Sequence, residues 1–219
     1  MKNLSRQTRV AIAVAVAAVV AIVGVVSYQL ATGNEEVDED NRASVAVRDD
    51  SHRLDTAPDG KVTIVEFLDF ECEGCRAAYP FVEQLRETYA GRVTFVLRYF
   101  PLAGHHNSRP AAHAVEAAAR QGKLEQMYQR MFDTQEQWGE RQDSQAPVFR
   151  TFAQELGLDL AQYDADVASD EVAARVQADF DDGMALGVTG TPSFFLNGER
   201  VVVESTDEFI EQIDAALAG

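Results

Sequence analysis

The chain contains two cysteines, and both stand in one C-x-x-C, Cys72-Glu73-Gly74-Cys75. A bridge across so few residues closes too short a loop to staple a scaffold. The spacing suits redox exchange or metal binding instead. At a helix N-terminus, unpaired backbone N–H groups and the positive end of the helix dipole favour thiolate over thiol. The thiolate is the form that attacks a disulfide. On this reading Cys72 is the exposed nucleophile and Cys75 the resolving thiol one turn inward. Two other readings use the same residues. One is an inert disulfide or a pair of buried thiols. The other is a zinc site, which needs four ligands and would draw on Cys72, Cys75, His105 and His113.

Two further positions could take part. Glu66 lies inside an apolar run, six residues before Cys72. A carboxylate there is costly unless it is paired or used. It either pairs with Arg98 or Lys61, or serves as a buried proton acceptor for Cys75 with a raised pKa. Thr191-Pro192 opens a later apolar stretch after a glycine-containing loop. Local sequence by itself favours a trans bond there, since only about 5–6% of such bonds are cis. His105, His106 and Arg109 fall in the loop after the second predicted strand and read as loop solvation.

These residues need elements to hold them. Residues 62–67 (VTIVEF) form a nearly continuous apolar strand, of the kind buried on both faces in parallel sheets. Ala78, Val82, Leu85 and Tyr89 then recur at helical spacing, with Gly91 as C-cap. Residues 92–99 form a second apolar strand, so the C-x-x-C opens the helix of a βαβ unit. Residues 108–186 read as five helices: one to 121 with Pro110 in its first turn, then 124–134, one opened by Ser144 and Pro147 and closed by Gly157, 160–169 and 170–186. Residues 193–196 and 200–203 are strands joined by Asn197-Gly198, a hairpin signal. Ser205-Thr206-Asp207-Glu208 is a capping box that opens a last helix. Residues 44–48 alternate weakly and read as a short first strand.

Composition narrows the class. The 219 residues carry 36 acidic and 19 basic side chains, a formal net charge of −17. That balance argues against a nucleic-acid partner, which needs cations against phosphate. It also disfavours docking on anionic lipid heads. Lysine occurs only at Lys2, Lys61 and Lys123. Residues 10–26 are apolar or glycine throughout, and no charge appears between Arg9 and Glu35. Taken over 10–30, the run would span about 31 Å at ~1.5 Å per residue, enough for a bilayer core. Lys2, Arg6 and Arg9 precede it and acids follow, so the N-terminus stays cytoplasmic and the remainder is exported. The run is longer than the apolar stretch of a cleaved signal peptide, which is the alternative. The organisation expected is a signal anchor over 1–33, an acidic linker over 34–43 and a folded domain over 44–219.

The chain resembles the DsbA-like thiol–disulfide oxidoreductases of the thioredoxin superfamily. The resemblance covers roughly residues 44–217. It rests on FLDFECEGC at 67–75, RYFPL at 98–102 and VTGTPSFFLNGERV at 188–201, in that order and spacing. It implies an α/β thioredoxin fold whose halves are separated by a helical insertion, about 104–186. It implies that Cys72 is the nucleophile, Cys75 the resolver and Glu66 the buried acid beside it. It also implies that Pro192 is cis and packs against the cysteine pair, with the Thr191 backbone pairing to an extended substrate segment. The activity implied is exchange of the Cys72–Cys75 disulfide with thiols of exported proteins, as a dithiol oxidase. A membrane quinone-linked enzyme is the implied reoxidant, and no metal or organic cofactor is needed. Two positions depart from the pattern. Glu73 stands where many relatives have proline, and Gly74 where strong oxidants often have histidine. Asp69, Glu71 and Glu73 would surround Cys72 with negative charge and disfavour its thiolate. A less oxidising pair is therefore expected, and reductase or isomerase action stays open. A membrane-tethered client-binding module with a structural disulfide is the alternative of another class.

Overall fold

The computed structural model describes residues 39–219. The expected anchor over 1–33 and the start of the acidic linker lie outside the described residues. Among the described residues, no helix is long and apolar enough to cross a membrane.

The described chain begins with α1 (Glu39–Ala46), β1 (His52–Asp55) and β2 (Thr63–Leu68). Helix α2 (Glu73–Thr88) crosses over to β3 (Thr94–Tyr99). Strands β2 and β3 run parallel, with Val65 opposite Val96 and Glu66 opposite Leu97. Every residue of β3 is buried, as is every residue of β2 after Thr63. That two-sided burial is why both read as continuous apolar runs. It contributes about 1.5–3 kcal/mol for each large apolar side chain removed from water.

Five helices follow: α3 (Ser108–Ala119), α4 (Leu124–Trp138), α5 (Ala146–Glu155), α6 (Leu160–Val167) and α7 (Asp170–Ala185). Their starts are set locally. The Asp159 carboxylate accepts from the N–H groups of Ala161 and Gln162, and the Ser169 hydroxyl from Val172. Helix α4 runs one turn past its expected end because Trp138 is fully buried, edge-on to Phe149 at 4.8 Å. The chain then re-enters the sheet as β4 (Ser193–Leu196) and β5 (Glu199–Arg200) and ends in α8 (Thr206–Ala218). The strand order is β1-β3-β2-β4-β5, with only the β2–β3 pair parallel. A helical insertion thus separates the βαβ half from the hairpin half, as the resemblance implied.

Two expected strands are corrected. Residues 44–48 are not a strand: α1 occupies most of them. A distant side chain decides this, since Arg98 donates to the carbonyls of Val45 and Ala46 at the end of α1. A cation on the last carbonyls satisfies groups that a helix end leaves unpaired. The strand expected at 200–203 shortens to Glu199–Arg200. One further bond, from Val201 N–H to the Phe194 carbonyl, extends the pairing. Strand β4 starts at Ser193, after a proline, so residues 202–203 have no partner strand, and Val202 is 81% exposed.

Candidate active site

Cys72 is the N-cap of α2, with extended backbone angles of −71° and 123° and no side-chain cap. Both cysteines are free thiols. Cys72 is 8% exposed and Cys75 is fully buried, so Cys72 is the outer of the two, yet less open than expected. The cover is the Thr191-Pro192 loop. The Cys72 Sγ lies 3.4 Å from the Thr191 carbonyl oxygen. The Thr191-Pro192 bond is cis, as the resemblance implied and against the local preference. A Cβ placed on Gly74 would sit 3.4 Å from both the Cys72 Sγ and the Pro192 Cδ. The sulfur, position 74 and the proline therefore form one small contact surface.

The two thiols are made unlike by their surroundings. The Cys72 thiol is lowered to about 5, first by a hydrogen bond from the Cys75 thiol. Burial opposes this; Thr191 and the N–H groups of Cys75 and Gly74 add to it. Those amides are the free donors of the helix N-terminus. Burial pushes the Cys75 thiol well up, and the hydrogen bond with Cys72 and the Glu66 charge push it further. The Asp69 N–H donates to the Cys75 Sγ at 3.4 Å.

Glu66 sits in mid-strand on β2, and its carboxyl is pushed up to about 8, first by burial and then by Glu83 and Cys72. The expected pairing with Arg98 is not formed. Arg98 is fully buried and committed to Asp179 at 2.6 Å and Asp182 at 2.5 Å. Lys61 is exposed whereas Glu66 is buried, and among the described residues no ion pair joins them. A cavity of about 10 Å³ adjoins Glu66, among Val82, Leu85 and Phe194, which is room for about one water.

The acidic residues near Cys72 do not act as their charges suggested. Asp69 is buried, and its carboxylate accepts from the N–H groups of Glu71 and Leu102. It also lies 2.6 Å from the His105 Nδ1. Glu71 is buried and accepts from the N–H groups of Asn107 and Glu140. Both carboxylates are taken up by the loops they hold, and the largest influences on the Cys72 thiol are hydrogen bonds and burial. Only Glu73 is exposed. The expected suppression of the thiolate is thus corrected: two of the three acids are spent on backbone donors and an imidazole.

Several residues that build this site carry no signal in the sequence. His105 is half-buried on Asp69 rather than solvating a loop. Gln135 of α4 donates to the carbonyls of both Phe70 and Cys72, tying the insertion to the nucleophile loop. Phe132 of α4 packs on Phe70 and Tyr79 at 5.2 Å each. No local pattern flags Gln135 or Glu71, because their partners are backbone groups far along the chain. The four-ligand zinc alternative is not assembled. His113 lies in a separate cavity of the insertion with Phe149 and Tyr163, and its Nε2 is buried. Among the described residues, Glu73, His105 and Glu140 bring one possible ligand atom each within 4.8 Å of one another.

Below Pro192 an open groove of about 630 Å³ is floored by Phe81, Phe194 and Phe209 and edged by residues 201–203. The arrangement as a whole presents an acidic thiol at a helix N-terminus, a buried partner thiol, a buried carboxyl and an apolar groove.

The family model described as thioredoxin matches residues 56–215. A thioredoxin-like oxidoreductase from Silicibacter pomeroyi DSS-3 superposes with a TM-score of 0.67 at 29% identity, covering 80% of this chain and 98% of its own. Oxidised BdbD from Bacillus subtilis superposes with a TM-score of 0.68 at 20% identity, covering 77% and 94%. The alpha-DsbA1 of Wolbachia pipientis reaches 0.71 at 17% identity, covering 81% and 96%; these last two show the fold. Among curated relatives, a protein named Na(+)/H(+) antiporter NhaA 1 from Mycobacterium sp. (strain KMS) is 34% identical over 148 residues, 65% of this chain. The chain spans 23% of that relative's length.

Proposed function

The chain belongs to the thioredoxin family, and from that membership we propose that it is a thiol–disulfide oxidoreductase of the DsbA type, acting as a dithiol oxidase on exported proteins. The observation that carries this reading is the asymmetric pair: a Cys72 thiol lowered to about 5 against the cis Thr191-Pro192 loop, beside a Cys75 thiol held high by burial. A stabilised thiolate stabilises the reduced protein, and so makes its disulfide a stronger oxidant.

The chemistry follows from that asymmetry. A client thiolate attacks the Cys72 sulfur of the disulfide, and Cys75 leaves as a thiolate. Glu66, whose carboxyl holds its proton up to about pH 8, stands near to protonate it. A second client thiolate attacks the client sulfur of the mixed disulfide, and Cys72 leaves. Its low thiol pKa makes it a good leaving group. The client loses two electrons and two protons, and the cysteine pair gains two electrons. During the exchange the client strand lies along the Thr191 backbone, with its apolar side chains in the groove floored by Phe81, Phe194 and Phe209. Reoxidation by a membrane quinone-linked partner returns the disulfide. Residues 1–33 serve as a single-pass anchor with the N-terminus cytoplasmic, and 34–43 as the linker.

The deciding experiment equilibrates the full chain with glutathione. A reduction potential of about −120 mV is expected for an oxidase. A value of about −230 to −270 mV would make the protein a reductase or isomerase. No reversible couple at all would leave the client-binding module. Cys72→Ser abolishes turnover on this reading, and Cys75→Ser accumulates mixed disulfides with clients; a Cys75→Ser variant that traps none would overturn the exchange mechanism.

A further inference from the structure

The helical insertion carries a cavity that the cysteine chemistry does not use. Helices α3, α5 and α6 line a space of about 540 Å³, a size typical of sites for small organic ligands. Pro110, Pro147, Phe149 and Val167 make its walls apolar. The three helices are tied to one another before anything binds. The Asn107 side-chain oxygen, just ahead of α3, accepts from the N–H of Gln145, the N-cap of α5, at 2.8 Å. At the other end of α3, the Gln121 carboxamide takes the N–H and carbonyl of Asp159, the N-cap of α6, at 2.8 and 3.1 Å. A ligand entering a cavity already built in this way loses little affinity to ordering the protein.

The polar groups around the cavity differ in what they have left to offer. Tyr163 is 3% exposed and lines it. Among the described residues its hydroxyl makes no hydrogen bond, nor is it sealed from solvent. Burial pushes its pKa up, so it keeps its proton and stands as a donor. His113 has a buried Nε2 without a partner, and burial lowers its pKa, so the ring brings no charge at neutral pH. On the rim, Arg150 is held fork-to-fork by Asp164 at 2.7 and 2.9 Å, and the two charges cancel. Arg109 is different. It is exposed, its guanidinium bonds the Gln177 side-chain oxygen at 3.1 Å, and among the described residues it meets no carboxylate. In a chain of net charge −17, an arginine left unpaired at the mouth of an apolar cavity is a cation with a vacancy for an anion.

We propose that this cavity is a binding site for a small apolar organic acid: its carboxylate takes the Arg109 guanidinium and the Tyr163 hydroxyl, and its body lies against Phe149, Pro147 and Val167. The guanidinium has five donors, so the bond to Gln177 leaves others for a carboxylate. A neutral apolar molecule gains the walls but not the charge, and an amine is repelled by Arg109. The site goes beyond the exchange reading and does not rest on it, since none of its residues belongs to the cysteine pair or to the groove below Pro192.

The test uses the full chain in phosphatidylcholine vesicles and 4-benzoylbenzoate, an apolar acid that bonds to nearby C–H groups on illumination. Adducts are mapped by peptide mass spectrometry. The control is 4-benzoylbenzyl alcohol at the same free concentration, which has the same rings and no charge. The acid is expected to label residues 146–150 and 163–167 with half-saturation of the order of 100 µM. The alcohol is expected to label them about fivefold less. Arg109→Gln should bring the acid down to the level of the alcohol while leaving the alcohol unchanged, and Tyr163→Phe should weaken the acid about threefold. Equal labelling of the cavity by acid and alcohol overturns the proposal. So does an Arg109→Gln protein that takes the acid as the native chain does, or labelling by the acid confined to the groove around Phe81 and Phe194. Should Arg109→Gln not fold, the comparison of acid with alcohol on the native chain decides. Labelling needs no turnover, so failure of the exchange reading leaves this result intact.

Discussion

Charge sign at a residue says little until its direction is known. Three acids beside Cys72 read as a field hostile to thiolate; two of them are spent on amides and an imidazole, and the Cys72 thiol is lowered. Glu66 is the reverse case, a carboxyl whose burial outweighs its hydration. Its pKa rises from 4.5 to about 8 on folding. Between those values the folded chain keeps a proton that the unfolded chain has released, so stability falls as pH rises. The stabilisation is complete below about 4.5 and is lost as pH climbs through about 8. Glu66→Gln is therefore expected to gain a few kcal/mol over the native protein at alkaline pH and to flatten this decline, as read from denaturant titrations across pH. The same variant is expected to slow exchange steps at Cys75 by about tenfold to a hundredfold, because Gln cannot pass a proton. Stopped-flow kinetics with a dithiol peptide would show it, and an unchanged rate would remove Glu66 from the mechanism.

At the scale of elements, packing overrules propensity. Gly183 lies inside α7, where alanine would be favoured by about 1 kcal/mol. A Cβ there would lie 2.7 Å from the Phe100 ring and 3.0 Å from Phe67. Phe100 is buried and stacked on Phe180 at 4.6 Å, so it has nowhere to go. Overpacking costs about 1–3 kcal/mol and wins. Gly183→Ala should lower the thermal midpoint, and a rise would mean that α7 can shift. Arg98 links three elements, holding the end of α1 and two acids of α7 from β3. Arg98→Met leaves buried Asp179 with Arg175 and the Tyr99 N–H alone and removes the donors to the end of α1, so it should cost about 2–3 kcal/mol. It should also expose α1 to proteolysis while the rest of the domain stays protected.

For the whole molecule, a net charge of −17 means mutual repulsion among exposed acids. The buried pairs of Arg98 are poorly screened by salt, whereas exposed like charges are well screened. Added salt is therefore expected to raise the thermal midpoint by a few °C; a fall would mean that exposed attractive pairs dominate. The proposed anchor makes a separate prediction. The full chain should stay with membranes through high-salt and alkaline washes and leave only with detergent, while a chain starting at residue 39 should be released.

Much of the fold is legible in one-dimensional pattern. Two apolar runs flanking a C-x-x-C specify the βαβ unit, and Gly122, Gly157 and Ser169 mark helix ends where they fall. These signals are local, since the groups that satisfy them lie within a turn of one another. Cys72 and Cys75 were legible for the same reason. What remained hidden depends on partners far along the chain. Helix α1 exists where a strand was read because Arg98, more than fifty residues on, takes its last carbonyls. The chemistry around Cys72 depends on where Asp69, Glu71 and His105 point, and on Gln135 arriving from the insertion. Residue type and spacing determine which groups can ionise; only tertiary packing decides which are desolvated, which are paired, and so which carry charge at the reacting sulfur.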